Sequence, residues 1–389
     1  MKQFDLTIIG GGMVGLALAA LLKDSDLNIG VIEAYPPKTP ESEITCRVSA
    51  LNIASEKLLT QLGVWKELEA LRATPYDKMD VWEKDSFANI QMTPEAFGLN
   101  HLGHIVENHL IQKVLWDQVS QQENVTIITA LPKRLDRNED NAILTLDNDQ
   151  LIVTKLVVGA DGANSWTRHQ AGIPVTYRDY GHHAFVCNVK TAEPHNNCAR
   201  QIFSPESILA FLPLHQQNLS SIVWSQPQKN AERLLEMSEE DFNKELAVAF
   251  DNRLGLCEVV GERKAIQLTA RYARNFAQSR VALVGDAAHT IHPLAGLGVN
   301  LGFQDAIGLA QNIQENLKNH HDIGEYRYLR SFERQRKVEA VKMLASMQGL
   351  KSLFAGNNPV KKFIRGIGLS STNKLGMVKH LLMKQGLGI

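Results

Sequence analysis

Gly10-Gly11-Gly12-Met13-Val14-Gly15 stands between an apolar stretch, Asp5-Leu6-Thr7-Ile8-Ile9, and a run of small residues, Val14–Lys23. A G-x-G-x-x-G turn that joins a strand to a helix admits few folds. It predicts a βαβ unit whose second strand is Leu27–Ile32. Gly10 allows the tight turn, Gly12 lets a pyrophosphate approach the backbone, and Gly15 lets helix and strand pack closely. Met13 and Val14 lie inside the same turn. Glu33 closes the second strand 18 residues after Gly15, near the expected spacing of about 20. An acid there accepts hydrogen bonds from ribose hydroxyls and repels a 2′-phosphate, so the bound nucleotide is of the FAD or NAD type. The bland alternative is an ordinary glycine turn with a surface glutamate.

Two later segments have the same logic. Leu156-Val157-Val158 runs into Gly159-Ala160-Asp161-Gly162-Ala163-Asn164-Ser165, with Arg168 beyond. A carboxylate beside a flexible glycine at a strand end suits a ligand at the carboxyl edge of a sheet, although Asp161-Gly162 also reads as a helix cap or a turn. Val281–Val284 then leads into Gly285-Asp286, and Gly296-Leu297-Gly298 opens a helix through Val299 and Asn300. Asp286 offers a carboxylate for sugar hydroxyls, and the helix start offers free N–H groups that attract negative charge. One βαβ unit suffices for NAD. A second nucleotide-facing loop some 270 residues later suggests a longer ligand, FAD, with its adenine end near Glu33 and its flavin end near Gly296–Asn300.

The 389 residues, 44% hydrophobic and 21% charged, fit a soluble two-domain chain with a large core. A formal net charge of −1 disfavours general nucleic-acid binding. Cys46, Cys187, Cys198 and Cys257 form no CxxC pair, which suits a reducing compartment and argues against a disulfide reductase or the common zinc spacings. The scattered histidines and cysteines offer no convincing metal-ligand set. A strand begins almost at once, and no apolar run approaches the roughly 18–20 residues of a membrane span. A cytoplasmic location is expected. From Ala340 to Ile389 there are eight Lys or Arg and no Asp or Glu. Such a tail suits either peripheral contact with an anionic inner-membrane surface or a helical cover with a solvated lysine face.

Helical spacing marks Ala50–Leu62 and Leu110–Val119, and a short strand is expected at Val125–Thr129. Ala142–Leu146 and Leu151–Thr154 read as a hairpin. From about Gly172 to Ala273 short alternating stretches (Ala184–Val189, Ile208–Leu212, Ser221–Trp224) suggest an antiparallel sheet with one helix, Glu239–Phe250. Pro75–Phe97 has similar character. The expected fold class is α/β (α+β): a Rossmann-like nucleotide-binding domain (1–74, 104–172, 274–345), an inserted antiparallel-sheet substrate domain (75–103, 173–273) and a basic helical C-terminal region (346–389).

The order GxGxxG, then GADG…S..R, then GDAAH…P..G.G.N.G resembles the single-component FAD aromatic hydroxylases, the para-hydroxybenzoate hydroxylase group. HPLAG.GVNLG, Leu62-Gly63-Val64-Trp65 and Val106-Glu107-Asn108 make it most similar to the ubiquinone-biosynthesis hydroxylases, above all the branch acting on 2-polyprenyl-3-methyl-6-methoxy-1,4-benzoquinol. The resemblance implies FAD bound by Gly10, Gly12, Met13, Val14, Gly15, Glu33, Arg47, Asp161, Gly162, Gly285, Asp286, Gly296, Gly298, Val299 and Asn300. It also implies flavin-loop candidates for the chemistry in His289, Pro293, Gly296, Leu297 and Gly298, with His292 nearby. Two positions depart from the family pattern: Thr45 stands where a carboxylate is common two residues before Arg47, and Leu297 stands where Gln is common.

The implied cycle uses NADH, NADPH or a partner reductase to reduce FAD; O₂ then adds to give a C4a-hydroperoxide that hydroxylates an electron-rich ring. Implied partners are a polyprenylated aromatic substrate and other ubiquinone-biosynthesis proteins, with a homo-oligomer possible. His182, His183, His215, Tyr177 and Tyr180 fall in the substrate domain as candidate proton-transfer groups, each more readily structural. Other readings stay open: hydroxylation at another ring position or of a soluble phenol, a flavin reductase acting on a prenyl lipid, and a flavin-bound scaffold without catalysis.

Overall fold

A computed structural model describes residues 1–38, 44–84, 89–290, 298–354 and 387–388. The chain opens with β1 (Lys2–Ile9), α1 (Met13–Leu21) and β2 (Ile29–Ile32), the βαβ unit read from the glycine turn. β3 (Val48–Asn52) leads into α2 (Ile53–Gln61) and α3 (Trp65–Leu71). The helix expected from Ala50 therefore starts at Ile53: Ala50–Asn52 pair with a later strand, and the Asn52 side chain accepts a hydrogen bond from Ser55 N at 3.0 Å as the helix cap. β4 (Thr74–Tyr76), β5 (Lys78–Glu83), β6 (Asn89–Met92) and β7 (Gly103–Glu107) precede α4 (Asn108–Ser120). β8 (Val125–Ile128), β9 (Pro132–Arg137), β10 (Ala142–Leu146) and β11 (Leu151–Gly159) lead to α5 (Trp166–Gln170). The return strand of the expected hairpin and the buried run after it are thus one continuous strand.

β12 (Val175–Thr191), β13 (Cys198–Phe203), β14 (Ile208–Pro213) and β15 (Leu219–Pro227) are followed by α6 (Gln228–Glu236) and α7 (Glu239–Ala249). Sequence reading finds α7 and misses α6. β16 (Cys257–Ala273), β17 (Ala277–Gln278), β18 (Val281–Leu283) and β19 (His289–Thr290) precede the long helices α8 (Gly298–Lys318) and α9 (Tyr326–Phe354). Pro293, Gly296, Leu297 and His292 lie outside the described residues, as does most of the basic tail beyond Phe354. Among the described residues, no helix is long and apolar enough to cross a membrane.

One sheet has the order β17-β18-β11-β1-β2-β8, with β9 and β10 branching from β11. β18, β11, β1, β2 and β8 run parallel. Every residue of β2 is buried, as expected for a parallel strand covered on both faces. On one of those faces α1 packs against α4 and α8. The second sheet has the order β19-β16-β12-β15-β14-β13-β5-β6, so strands from before residue 103 and after residue 173 share it. It is antiparallel except where β5 runs parallel to β13, because β5 reaches the sheet from far upstream rather than by a hairpin. A three-stranded sheet, β3-β7-β4, completes the topology and takes β4 away from the second sheet. α7 covers one face of the second sheet, where Phe242 lies 5.1 Å from Phe185 and Phe211 stacks 3.8 Å from Phe250.

Candidate active site

Parallel strands deliver their following loops to one edge. β1, β11 and β18 lie side by side, so Gly10–Gly15, Ala160–Ser165 and Gly285–Thr290 emerge together, with Glu33 at the end of β2. Backbone hydrogen bonds fix the alignment: Gly10 N to Ile32 O (2.9 Å), Ala160 N to Ile9 O (2.8 Å) and Val284 N to Gly159 O (3.0 Å). This is the carboxyl edge of an open parallel sheet, where such folds bind ligands.

The three glycines of the first loop have different work. A Cβ on Gly15 would lie 2.2 Å from Gly10 O, and one on Gly10, at φ +107°, would lie 2.5 Å from Ala160 O. Gly12 differs, because a Cβ there would meet no atom within 4 Å. Gly12 is also the N-cap of α1 and provides no side-chain cap, leaving the first-turn amides of Met13 and Val14 available to an anion. The Val14 side chain points elsewhere. A Cβ on Gly285 would come within 3.3 Å of it, and one on Gly302 within 2.7 Å. Val14 is therefore a wedge that joins the first loop to the third. Glu33 is oriented by two amides, Gly11 N at 2.7 Å and Tyr35 N at 2.8 Å, with lone pairs remaining on both oxygens.

At the other end, Asp286 is solvent-exposed yet densely surrounded by protein, as a side chain on the floor of a cleft is. That crowding raises its carboxyl above the ordinary range, against the pull of His289, Arg47 and Arg271. Arg47 is exposed, and Gly298 faces open space at the start of α8. An approachable amide cradle, an oriented acid at the end of β2 and a second acid flanked by arginines fit a dinucleotide with two sugar-like portions.

Several side chains of these segments also hold the loops to one another. Asp161 accepts Ser165 Oγ at 2.5 Å and both Thr167 N (2.8 Å) and Thr167 Oγ1 (3.0 Å); the turn reading describes its side chain, and Gly162 at φ +78° completes that turn. Arg168, buried, donates to Ala287 O at 2.9 Å and Ala163 O at 3.0 Å, clasping the second loop to the third. Asn300 accepts Asn52 N (3.0 Å) and Ser55 Oγ (2.7 Å) and donates to Ala50 O (2.8 Å), so its side chain staples α8 to β3 and α2. Val299 beside it is half-buried. His289 is 2% exposed and bonds Asp305 at 2.6 Å, which makes it a positioning residue for its loop. Asn300→Ala should lower folding stability by about 2–3 kcal/mol, because Ala50 O and Asn52 N lose their partner in a buried place; thermal unfolding of the FAD-loaded chain measures it.

Sequence reasoning missed two groups. Asp305 on α8 is fully buried and accepts Gly285 N (2.9 Å), His289 Nε2 (2.6 Å) and Arg336 Nε from α9 (2.6 Å). Glu107, also buried, accepts Thr45 N at 2.7 Å and Arg72 Nε at 2.7 Å. A carboxylate from β7 thus stands beside the position where the family pattern puts one at residue 45. In the sequence, Val106-Glu107-Asn108 marks the resemblance but does not disclose Thr45 as the partner of Glu107. Burial and Arg72 hold the neighbouring His109 below the ordinary histidine range, against Glu107.

The candidate proton-transfer groups are dispersed. His182 and His183 follow Gly181 at an irregularity in β12, and His182 Nδ1 lies 3.2 Å from Ser225 Oγ. Tyr177 is exposed with the Arg271 guanidinium 5.8 Å from its ring centre. Tyr180 borders a small apolar cluster. His215 sits in the turn between β14 and β15, held below the ordinary range by desolvation and Arg72.

Comparison with known proteins agrees with this geometry. The model of the FAD binding domain family matches residues 3–346. The 3-demethoxyubiquinol 3-hydroxylase of Escherichia coli is 36% identical over 99% of this chain and 98% of its own. The mitochondrial ubiquinone biosynthesis monooxygenase COQ6 of Danio rerio is 34% identical over 98% of this chain and 89% of its own. In fold, the p-nitrophenol 4-monooxygenase PnpA of Pseudomonas putida superposes with a TM-score of 0.81 at 18% identity, covering 100% of this chain and 99% of that one. The chain belongs to the FAD binding domain family, in its FAD-dependent aromatic hydroxylase branch.

Proposed function

We propose that this protein hydroxylates the ring of a polyprenylated ubiquinone precursor, and that its substrate is the 2-polyprenyl-3-methyl-6-methoxy-1,4-benzoquinol class. The observation that carries this is the convergence of three glycine loops, Glu33 and Asp286 on one sheet edge, in a chain whose near-full-length relative is a 3-demethoxyubiquinol 3-hydroxylase. FAD, when bound, takes up two electrons from NADH, NADPH or a partner reductase and activates O₂. One oxygen atom enters the ring in place of hydrogen, and the other leaves as water.

The chain's residues do the rest. Gly12 and the amides of Met13 and Val14 hold the pyrophosphate, and Glu33 takes the adenosine ribose. Asp286 accepts hydroxyls near the flavin, while Arg47 and the amides opening α8 offset negative charge there. Arg168 and Asp305 keep the loops in register, so these groups are set before reaction. Ala184, Val186 and Leu268 form an apolar patch of the second sheet beside Cys46 and Val223. That patch lies next to the segment bearing Arg47 and suits a ring that must be kept from water. On this reading, 1–74, 104–172 and 274–345 bind the cofactor, 75–103 and 173–273 face the substrate, and 346–389 meets the membrane that holds the prenyl tail.

The test is oxygen uptake by the purified flavin-loaded protein with a short-chain benzoquinol and NADH or NADPH, with products followed by mass spectrometry. A product heavier by one oxygen atom is expected. Oxygen or quinone reduction without that product would point to a reductase. Asp286→Ala is expected to lose flavin and product together; a variant that still supports quinone synthesis in a deletion strain would favour the scaffold reading.

A further inference from the structure

Away from the three loops, the fold brings together a set of metal-ligating atoms that spacing along the chain conceals. Glu56 lies on α2, His101 in the segment before β7, and His104 on β7 itself. Glu56 Oε2 is 2.7 Å from His101 Nε2 and 3.3 Å from His104 Nδ1. One donor atom from each residue falls within a common radius, all within 4.8 Å of one another. We propose that Glu56, His101 and His104 form a binding site for a divalent transition-metal ion of the zinc class.

The case rests on the state of His104 as much as on the cluster. Its side chain is 6% exposed, and its buried Nδ1 meets the Glu56 carboxylate at 3.3 Å outside good hydrogen-bond geometry. Buried polar atoms are normally paired, and an unpaired one costs free energy. The ring has little freedom to seek another partner, because Trp65 packs edge-on at 4.8 Å and His101 at 4.5 Å between ring centres. Two imidazole nitrogens thus converge on one carboxylate oxygen, His101 at 2.7 Å and His104 at the longer 3.3 Å. A cation among the three atoms satisfies all of them. Ligands about 2.0–2.1 Å from a tetrahedral ion stand about 3.4 Å apart, so the 3.3 Å separation already fits and the 2.7 Å one opens by about 0.7 Å on binding.

Two imidazoles and a carboxylate are the donor set that suits Zn²⁺ among common divalent ions. Glu56 and His101 keep 20% and 26% of their side-chain surface exposed, which leaves a route for the ion and room for water as a further ligand. Bound there, the ion pins α2 to β7. α2 is capped by Asn52, whose backbone N–H donates to Asn300 at the head of α8. The site thus braces the wall behind the flavin end and takes no part in electron transfer. The inference stands independently of which substrate the protein oxidises.

The experiment uses the full flavin-loaded chain, without an added polyhistidine segment, stripped with EDTA and desalted. Calorimetric titration with Zn²⁺ is expected to show one tight equivalent per chain. His101→Gln, at the more exposed ligand, removes a direct ligand and should weaken it by more than the roughly 10–100-fold that losing an outer partner costs, while leaving bound flavin unchanged. Zn²⁺ should raise the Tm of the unaltered chain and not that of His101→Gln. Equal stoichiometry and affinity in the two proteins would overturn the assignment. Cobalt decides without any variant: intensified visible bands of a four- or five-coordinate ion are expected, and a spectrum matching aqueous Co²⁺ would refute the site.

Discussion

Gly12→Ala is expected to fold as well as the unaltered chain and yet to bind FAD on the order of 100-fold more weakly. Gly12 has φ −80° and ψ 176°, an extended conformation that alanine adopts without strain. Its added methyl meets no protein atom within 4 Å, so the FAD-free chain should keep its Tm. That same methyl occupies the space through which a pyrophosphate reaches the α1 amides. Overpacking and a charge-assisted hydrogen bond lost or lengthened are each worth about 1–3 kcal/mol, and every 1.4 kcal/mol is about tenfold in affinity. Gly15→Ala makes the contrast. Its Cβ would stand 2.2 Å from Gly10 O, so stability and FAD binding fall together. Flavin fluorescence titration and unfolding of the FAD-free proteins separate the two. Undiminished FAD affinity in Gly12→Ala would mean that the phosphates pass elsewhere.

That pair of variants shows which parts of the site were legible in sequence. The glycine turn is a local device, and its strand, helix and acid follow within 33 residues, so chemistry and spacing coincide. The later loops were legible for the same reason: each is a buried strand ending in glycine and aspartate. Spacing could not tell which polar side chains face the ligand and which face the protein. Asp161 and Asn300 look like ligands by position, and their side chains also bond neighbours that only tertiary folding supplies. Glu107 reaches Thr45 across 62 residues, and Glu56 reaches His101 across 45; no periodicity marks either. The parallel β5–β13 pair was hidden likewise, since alternation identifies a strand but not its partner.

Asp305→Ala should be the most damaging single side-chain change outside the glycine turn, lowering folding stability by about 3–5 kcal/mol. The carboxylate is fully buried, and its removal strands a guanidinium, an imidazole and the Gly285 N–H in the protein interior. The charge state gives a second, independent readout. Burial alone would raise the Asp305 carboxyl, but His289 and Arg336 more than offset it and hold it below the ordinary aspartate range. A carboxyl depressed in the folded state contributes its stability in full above the unfolded value, near about 3.9. That contribution is lost as pH falls through the lower folded value. Asp305→Asn keeps the shape without the charge, so its stability should decline less steeply than that of the unaltered chain below about pH 4. Chemical denaturation at pH 7 and at steps down to pH 3 measures both effects. If Asp305→Ala unfolds within 1 kcal/mol of the unaltered chain, about the worth of one ordinary hydrogen bond, the network does not hold the loop. If it unfolds early as expected, flavin content shows where the strain goes. Gly285 N, freed from Asp305, no longer fixes the turn that presents Asp286, and FAD should dissociate at temperatures where the rest of the parallel sheet is still folded.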